Sequence, residues 1–247
     1  MRLKHVWIIG LTVLLSACST AQTSTPLPTP AAINLIFLPD LKPWADQLGT
    51  CAAHNPHAAV YFESVVNDAS QLRSNDIMLL MGNPSQNDPS VYSALLGWEQ
   101  IEVIVNQQNE SPDLSLEQLR SIYTGQSAMW GNSSSQPIEV WVLPADSPTR
   151  MTFDQAVIPH QRLASDAMLA PDPMAMLEAI GEDKYAIGYL PGSFLKSGDA
   201  AQTAQVRRLS MVSMPMEDLQ APVVALTLGE PQGIMRQLLL CLQADPP

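Results

Sequence analysis

The chain has 247 residues, of which 46% are hydrophobic and 15% are charged, a balance typical of globular proteins and not of disordered ones. It has 12 lysine and arginine residues against 24 aspartate and glutamate residues, which gives a formal net charge of -12. Such a surface repels nucleic acid and anionic lipid, so we exclude nucleic acid as a partner. The length allows one or two domains around a sizeable core.

The amino terminus has the pattern of a secretory signal. Arg2 and Lys4 precede the apolar segment 6–15, which is too short to span the ~30 Å of hydrocarbon in a bilayer. The sequence Leu-Ser-Ala-Cys at 15–18 resembles the lipobox of bacterial lipoproteins, in which the cysteine is acylated and becomes the first residue. We expect a signal peptide over residues 1–17 and a lipid on Cys18; an ordinary secretory signal is the alternative.

Residues 18–32 are rich in proline, threonine and serine and contain no charged residue. Pro26, Pro28 and Pro30 favour an extended chain, so this segment is predicted to be a tether between the lipid and the folded body. The protein is therefore expected outside the cytoplasm, held at the bacterial cell membrane by its lipid and not by charge.

Downstream of the tether, strand patterns alternate with helix patterns, which predicts an α/β fold with a mainly parallel sheet. No second membrane-spanning segment is expected, because the apolar stretch 234–242 is short and contains Arg236. The predicted strands are 33–38, 58–65, 76–81, 101–106, 138–143, 185–190, 206–212 and 223–228. The predicted helices are 44–53, one beginning after Ser115, one beginning after Ser147, one beginning after Asp172, and 234–242.

Four segments, in their order along the chain, resemble one family. They are IEVIVNQQN at 101–109, LSLEQLRSIYTGQSAMWGN at 114–132, PIEVWVLPADSPTRMTF at 137–153 and YAIGYLPGSF at 185–194. The succession resembles the phosphate-binding-protein branch of the periplasmic solute-binding superfamily. The likeness extends over about residues 33–242.

The resemblance implies a two-lobe periplasmic-binding-protein fold of type II, with two strands crossing between the lobes. By analogy, lobe I would be 33–104 plus 221–247, and lobe II would be 105–220. The implied function is that of a monomeric lipoprotein that captures a small anionic solute, phosphate first, and delivers it to ABC permease subunits. No cofactor, bound metal or catalytic residue is implied.

Ser147, Thr149 and Arg150 are the main ligand candidates, because they lie where a loop enters a helix. Unpaired N–H groups and the positive end of the helix dipole favour an oxyanion there, the two hydroxyls add donors, and a guanidinium can form a bidentate pair. The alternative is structural: Ser147 caps the helix, and Arg150 pairs with Asp146 or Asp154.

The first lobe offers weaker candidates, Ser70 and Asn83, in loops that follow predicted strands. The resemblance is incomplete here, because the family's Gly-Ser-Thr loop after the first strand is replaced by Leu-Pro-Asp-Leu at 38–41. That substitution removes hydroxyl donors and adds the carboxylate of Asp40. In addition, Pro148 stands where the family has glycine and removes one backbone donor.

Lipidation of Cys18 would leave Cys51 and Cys241 as an even pair in an exported protein, where a disulfide is permitted. By analogy both belong to lobe I, so a bridge between them is one hypothesis and two buried thiols are the other. A metal site on Cys51, His54 and His57 is disfavoured, because Pro56 breaks any helix that would align them.

Two other functions remain open from the sequence. A degenerate solute-binding domain that acts as a sensor or adhesion lipoprotein would keep the fold while its cleft changes. An extracytoplasmic hydrolase is disfavoured, since the chain has no G-x-S-x-G motif and no recognisable catalytic triad.

Overall fold

The computed structural model describes residues 30–64, 72–84, 88–131, 136–212 and 216–247. Alternating strands and helices confirm the predicted α/β class, but the sheet is mixed and not mainly parallel, because the strands Val91–Asn106 (β4) and Gln220–Leu228 (β11) run antiparallel to their neighbours. In chain order the strands are β1 Ala31–Phe37, β2 Ala58–Ser64, β3 Asp76–Met81, β4 Val91–Asn106, β5 Leu114–Ser115, β6 Glu139–Val142, β7 Met168–Leu169, β8 Ala186–Pro191, β9 Val206–Arg208, β10 Met211–Val212 and β11 Gln220–Leu228.

The helices follow local signals that the sequence already contains. Ser115 and Gln118 form a capping box, and the side chains of Ser147 and Asp172 accept hydrogen bonds from backbone N–H groups three residues on. The helices are α1 Lys42–Ala53, α2 Leu116–Tyr123, α3 Pro148–Val157, α4 Pro173–Glu182, α5 Ser193–Ser197, α6 Ala200–Thr203 and α7 Gly233–Ala244. None of these described helices is long and apolar enough to cross a membrane.

One mixed sheet organises the chain, with strand order β2-β1-β3-β11-β4-β8-β6-β7, and β9 also pairs with β4. β1 runs parallel to β2 and β3, and β6 runs parallel to β8 and β7. The carboxyl ends of β1 and β6 are each followed by a loop that leads into a helix. Ligands of open α/β sheets bind at such ends, so we expect a ligand site at these two loops.

β4 is the strand on which the two parts of the sheet meet. Its residues up to Gln100 pair with β11, and from Ile101 onward they pair with β8. The sequence predicted only residues 101–106 of this strand, which are nearly all buried. The missed part, 91–100, exposes Tyr92, Leu95 and Trp98, so it lacks the continuous burial that marks a central strand.

Most buried apolar side chains form a single cluster that continues across both parts of the sheet. Trp44 on α1 and Leu238 on α7 belong to it, together with Phe153 on α3 and Tyr189 on β8. A smaller cluster under the opposite face of the first part contains Met78 and Leu226. The shared core fixes the loops after β1 and β6 relative to each other.

Helices α1 and α7 pack together and are joined by a disulfide between Cys51 and Cys241, whose Cα atoms are 6.1 Å apart. Gln47 Nε2 also donates to Asp245 Oδ2 at 2.9 Å, which connects the same two helices by a hydrogen bond. The bridge closes a loop of 190 residues and fastens the carboxyl-terminal helix to the first one.

Candidate functional site

The loop after β1 meets the amino terminus of α3. Residues Pro39–Leu41 form a single 3-10 turn after β1, and Asp40 in this turn is 4% exposed. Opposite it, Ser147 and Thr149 begin α3 and are 7% and 0% exposed. The site is therefore built from two distant parts of the sequence and is shielded from solvent.

Asp40 fills the position where the sequence predicts a bound anion. Ser147 Oγ donates to Asp40 Oδ2 at 2.6 Å, and the Thr149 backbone N–H donates to the same oxygen at 3.3 Å. Hydrogen bonds to a carboxylate are about twice as strong as neutral ones, and the positive end of the helix dipole adds to them. The internal carboxylate is thus held by the donors that we assigned to a solute.

Every backbone donor in the first turn of α3 is occupied. Pro148 has no N–H, the N–H of Thr149 bonds to Asp40, and the N–H of Arg150 donates to Ser147 Oγ at 3.2 Å. The N–H of Met151 donates to the Ser147 carbonyl at 2.9 Å. The Thr149 hydroxyl is directed at Met81 Sδ, 3.9 Å away. With Asp40 in place, this turn has no free backbone donor for a solute.

The Arg150 side chain bonds to residues close to it in the sequence. Its Nη1 donates to the Leu143 carbonyl at 2.7 Å, and its Nε pairs with Asp154 Oδ2 at 3.2 Å. The pairing with Asp154 is one of the two structural alternatives left open by the sequence. The four ion pairs among the described residues do not include Asp40.

A cavity of about 300 Å³ lies beside the Asp40–Ser147 contact. The residues that line it include Asp40, Asp146 and Asp172 together with Ser64 and Ser147, and none of its lining residues in the described part of the chain is a lysine, arginine or histidine. The volume is within the range of small-ligand pockets. The charge on its walls is negative, which disfavours a free anion.

The first-lobe candidate Asn83 does not line this cavity. Asn83 is exposed and lines a different cavity, of about 550 Å³, together with Gly82, Thr152 and Gln155. The structure therefore does not bring Asn83 to the same cavity as Ser147. Ser70 and the lipidation candidate Cys18 lie outside the described residues.

Two aromatic residues from other elements, Tyr123 and Tyr189, pack against Phe153 of α3. The rings of Phe153 and Tyr189 stack with centroids 3.8 Å apart, and Tyr123 packs 4.7 Å from Phe153. Burial raises the pKa of the Tyr189 hydroxyl, and the nearby charge of Asp154 raises it further. Two motifs that carried the family resemblance, YTG and IGY, thus supply packing groups that hold the helix.

The metal site that the sequence disfavours, on Cys51, His54 and His57, is not formed by these described residues. Cys51 is engaged in the disulfide, and His54 Nδ1 lies 2.8 Å from the Thr50 carbonyl. Within the ranges that the structure describes, no group of three or more His, Cys, Asp and Glu side chains is placed to hold a metal ion.

No protein-family model and no curated sequence matches the chain. The comparison with known proteins therefore rests on solved structures. An ABC-type phosphate transport receptor from Vibrio cholerae superposes with a TM-score of 0.61 at 19% identity, covering 87% of this chain and 94% of the receptor. The fold is that of a periplasmic binding protein.

Two further structures agree with this assignment of the periplasmic-binding-protein fold. A phosphate ABC transporter substrate-binding protein from Clostridium perfringens, with bound phosphate, gives a TM-score of 0.68 at 14% identity and covers 85% of this chain and 92% of that one. The reduced OxyR regulatory domain from Pseudomonas aeruginosa gives 0.62 at 12% identity and covers 88% and 97%. These neighbours are binding proteins and a regulatory domain and not enzymes, and at such identities they establish the fold alone.

The occupant of the site is the feature that sequence reasoning missed. The sequence shows Asp40 as an added carboxylate in the loop after the first strand, and no local pattern indicates its partner. Its two donors lie more than a hundred residues further along the chain. One feature of the sequence could have indicated this contact: the Gly-Ser-Thr loop expected by resemblance is replaced at 38–41 by a loop that carries a carboxylate and no hydroxyl.

Proposed function

We propose that this protein is an extracytoplasmic solute-binding lipoprotein that captures a small oxyanion between two lobes and delivers it to an ABC permease. In this proposal Cys18 carries the lipid, and the predicted tether of residues 18–32 ends before Ala31, because residues 31 and 32 already pair in β1. The lobes are 33–104 plus 221–247 and 105–220, and they are joined by β4 and β11. The partner of β4 changes between Gln100 and Ile101, which supports a junction of two bodies there.

One observation carries the choice of an oxyanion. Ser147 Oγ and the Thr149 N–H converge on a single carboxylate oxygen, at 2.6 and 3.3 Å, in a buried position at the positive end of a helix. Donors fixed in this way are pre-organised for one anionic oxygen. Phosphate is the first ligand to test, because the Clostridium perfringens neighbour holds phosphate.

The direction of β1 supports capture away from the membrane. The strand begins at Ala31, next to the tether, and Asp40 follows its other end. Seven residues at ~3.3 Å each separate the two ends by roughly 20 Å. The point where the proposed tether enters the folded body and the turn that contains Asp40 therefore lie at opposite ends of β1.

A second function is favoured by the same contact between Asp40 and Ser147. If the lobes close on Asp40 without a solute, the protein serves as a sensor or adhesion lipoprotein and carries nothing. In both functions the chain is a binding protein and not a hydrolase.

Isothermal titration calorimetry on the mature protein tests oxyanion capture, with phosphate, sulfate, molybdate and a phosphonate as ligands. We expect binding of at least one oxyanion and a loss of about tenfold in affinity for Ser147→Ala, since one charge-assisted hydrogen bond is removed. Ser115→Ala is the matched control, because it removes a serine cap from α2, away from the site. An equal loss in both variants, or no binding of any anion by the wild type, contradicts oxyanion capture; the second result favours the sensor or adhesion function.

A further inference from the structure

We infer that Asp40 is an intramolecular ligand of the anion subsite and the residue that determines which solutes this subsite accepts. The inference rests on the proposed function, because it concerns the same subsite at the amino terminus of α3. It concerns the occupant of that subsite and not the transport of a solute.

The geometry leaves no room for a second occupant. Asp40 Oδ2 is bonded to Ser147 Oγ and to the N–H of Thr149, and the remaining N–H groups of the first turn of α3 bond within the turn. A phosphate oxygen that used these donors would have to take the place of Oδ2. The carboxylate and an external oxyanion therefore exclude each other.

The charges around the subsite also disfavour the binding of an external anion while Asp40 is in place. No ion pair among the described residues includes Asp40, and Arg150 is held by Asp154 and the Leu143 carbonyl. The adjoining cavity adds the carboxylates of Asp146 and Asp172. An incoming anion thus meets the charge of Asp40 in addition to that of Asp146 and Asp172, and the donors of α3 stabilise only one anionic group at a time.

A solute consequently binds in competition with a tethered carboxylate. Its apparent affinity is reduced by the fraction of molecules in which Asp40 is bound, although the donors themselves are intact. The solute class that this arrangement admits is an oxyanion that replaces the carboxylate one for one. Removing the Asp40 side chain should release the donors without moving them.

Asp40→Ala tests the inference, with inorganic phosphate as the probe. We expect phosphate to bind at least about tenfold more tightly to Asp40→Ala than to the wild type, since two charge-assisted hydrogen bonds favour the internally occupied state. Asp146→Ala is the matched control, because it removes the same charge from the same cavity wall at an exposed position. It should change phosphate affinity by less than the gain seen for Asp40→Ala.

Thermal unfolding of the same proteins gives an independent measurement. Without ligand, the melting temperature of Asp40→Ala should be lower than that of the wild type. Phosphate or acetate should raise the melting temperature of Asp40→Ala more than that of the wild type, because either anion refills the emptied position. Adding Ser147→Ala to Asp40→Ala should abolish the gain. Should Asp40→Ala fail to fold, Asp40→Asn keeps the size of the side chain and removes its charge, and it should show a smaller gain.

The outcomes separate this inference from the proposed function. Tight phosphate binding by the wild type with no gain in Asp40→Ala overturns the inference and leaves oxyanion capture standing. Binding that appears only in Asp40→Ala supports the inference and contradicts oxyanion capture by the natural protein. Equal gains in Asp40→Ala and Asp146→Ala show general charge repulsion and overturn the inference, whereas no binding by any of the proteins overturns both proposals.

Discussion

Trp44 on α1 donates its indole N–H to the Oε2 atom of Glu99 on β4 at 2.6 Å, and both residues are buried. The other oxygen of this carboxylate accepts the N–H of Ser193, at 3.0 Å, from the segment that follows β8. Glu99 lies next to the point where β4 changes its partner from β11 to β8. A single buried carboxylate therefore connects elements from both parts of the sheet, close to the strand that crosses between them.

The burial of Glu99 predicts a pH dependence of stability. Burial raises the pKa of this carboxyl above its ordinary value of 4.5, and the hydrogen bonds from Trp44 and Ser193 only partly oppose the shift. A raised pKa in the folded state means that the contribution of Glu99 is fully present below pH 4.5 and is lost as the pH rises through the folded value. We expect Glu99→Gln to lack this loss.

Urea unfolding of both proteins from about pH 4.5 upward to neutrality measures the difference in their free energies of unfolding. The wild type should lose stability relative to Glu99→Gln across this range. A difference that does not change with pH would show that burial of Glu99 has no effect on its titration. Other carboxylates titrate equally in both proteins and cancel.

The disulfide predicts a large effect on the denatured state. Replacing both Cys51 and Cys241 by alanine opens a loop of 190 residues, and the chain-entropy argument gives a loss of up to about 5 kcal/mol in the free energy of unfolding. Urea denaturation measures it, with the reduced wild type as a control that keeps both side chains. Equal stability of the oxidised and reduced proteins would contradict the predicted contribution.

Gly188 on β8 predicts a packing defect. A Cβ atom there would clash with Met176 Sδ and lie 3.0 Å from Ile180 Cδ1 on α4, so the helix must move or its side chains must leave their rotamers. Gly188→Ala should lower the free energy of unfolding by about 1–3 kcal/mol. Gly131→Ala is the control, because a Cβ at that exposed position meets no atom of the described residues within 4 Å. Equal melting temperatures for the two variants would contradict the close packing of β8 on α4.

Arg150 distinguishes a ligand residue from a structural one. As placed, its guanidinium bonds to the Leu143 carbonyl and to Asp154, so Arg150→Ala leaves both groups without their cation. We expect a loss of about 1–3 kcal/mol in the free energy of unfolding, with phosphate affinity changed less than in Ser147→Ala. Calorimetry alongside urea denaturation measures both, and a large loss of affinity with unchanged stability would assign Arg150 to the ligand.

The sequence predicted the features of the fold that depend on residues close together along the chain. The helix starts at Ser115, Ser147 and Asp172 were recognisable because a cap and its N–H partner are only three residues apart. The buried strand β3 was predicted with its observed bounds, since both its faces are covered and its side chains are continuously apolar. The predicted strand 206–212 is instead two short strands, β9 and β10, which pair with β4 and β5 respectively.

By itself, the sequence determined the α/β class, the order of the longer strands and helices and the position of α3 with its serine cap, because these depend on local hydrogen bonds and on the period of the apolar residues. The tertiary structure decided that Asp40 occupies the donors of Ser147 and Thr149 and that Glu99 joins Trp44 to Ser193. These groups lie between 55 and 109 residues apart along the chain. Only packing of the sheet and helices on one core brings such groups within 3.3 Å of each other, and no local pattern of residues specifies it.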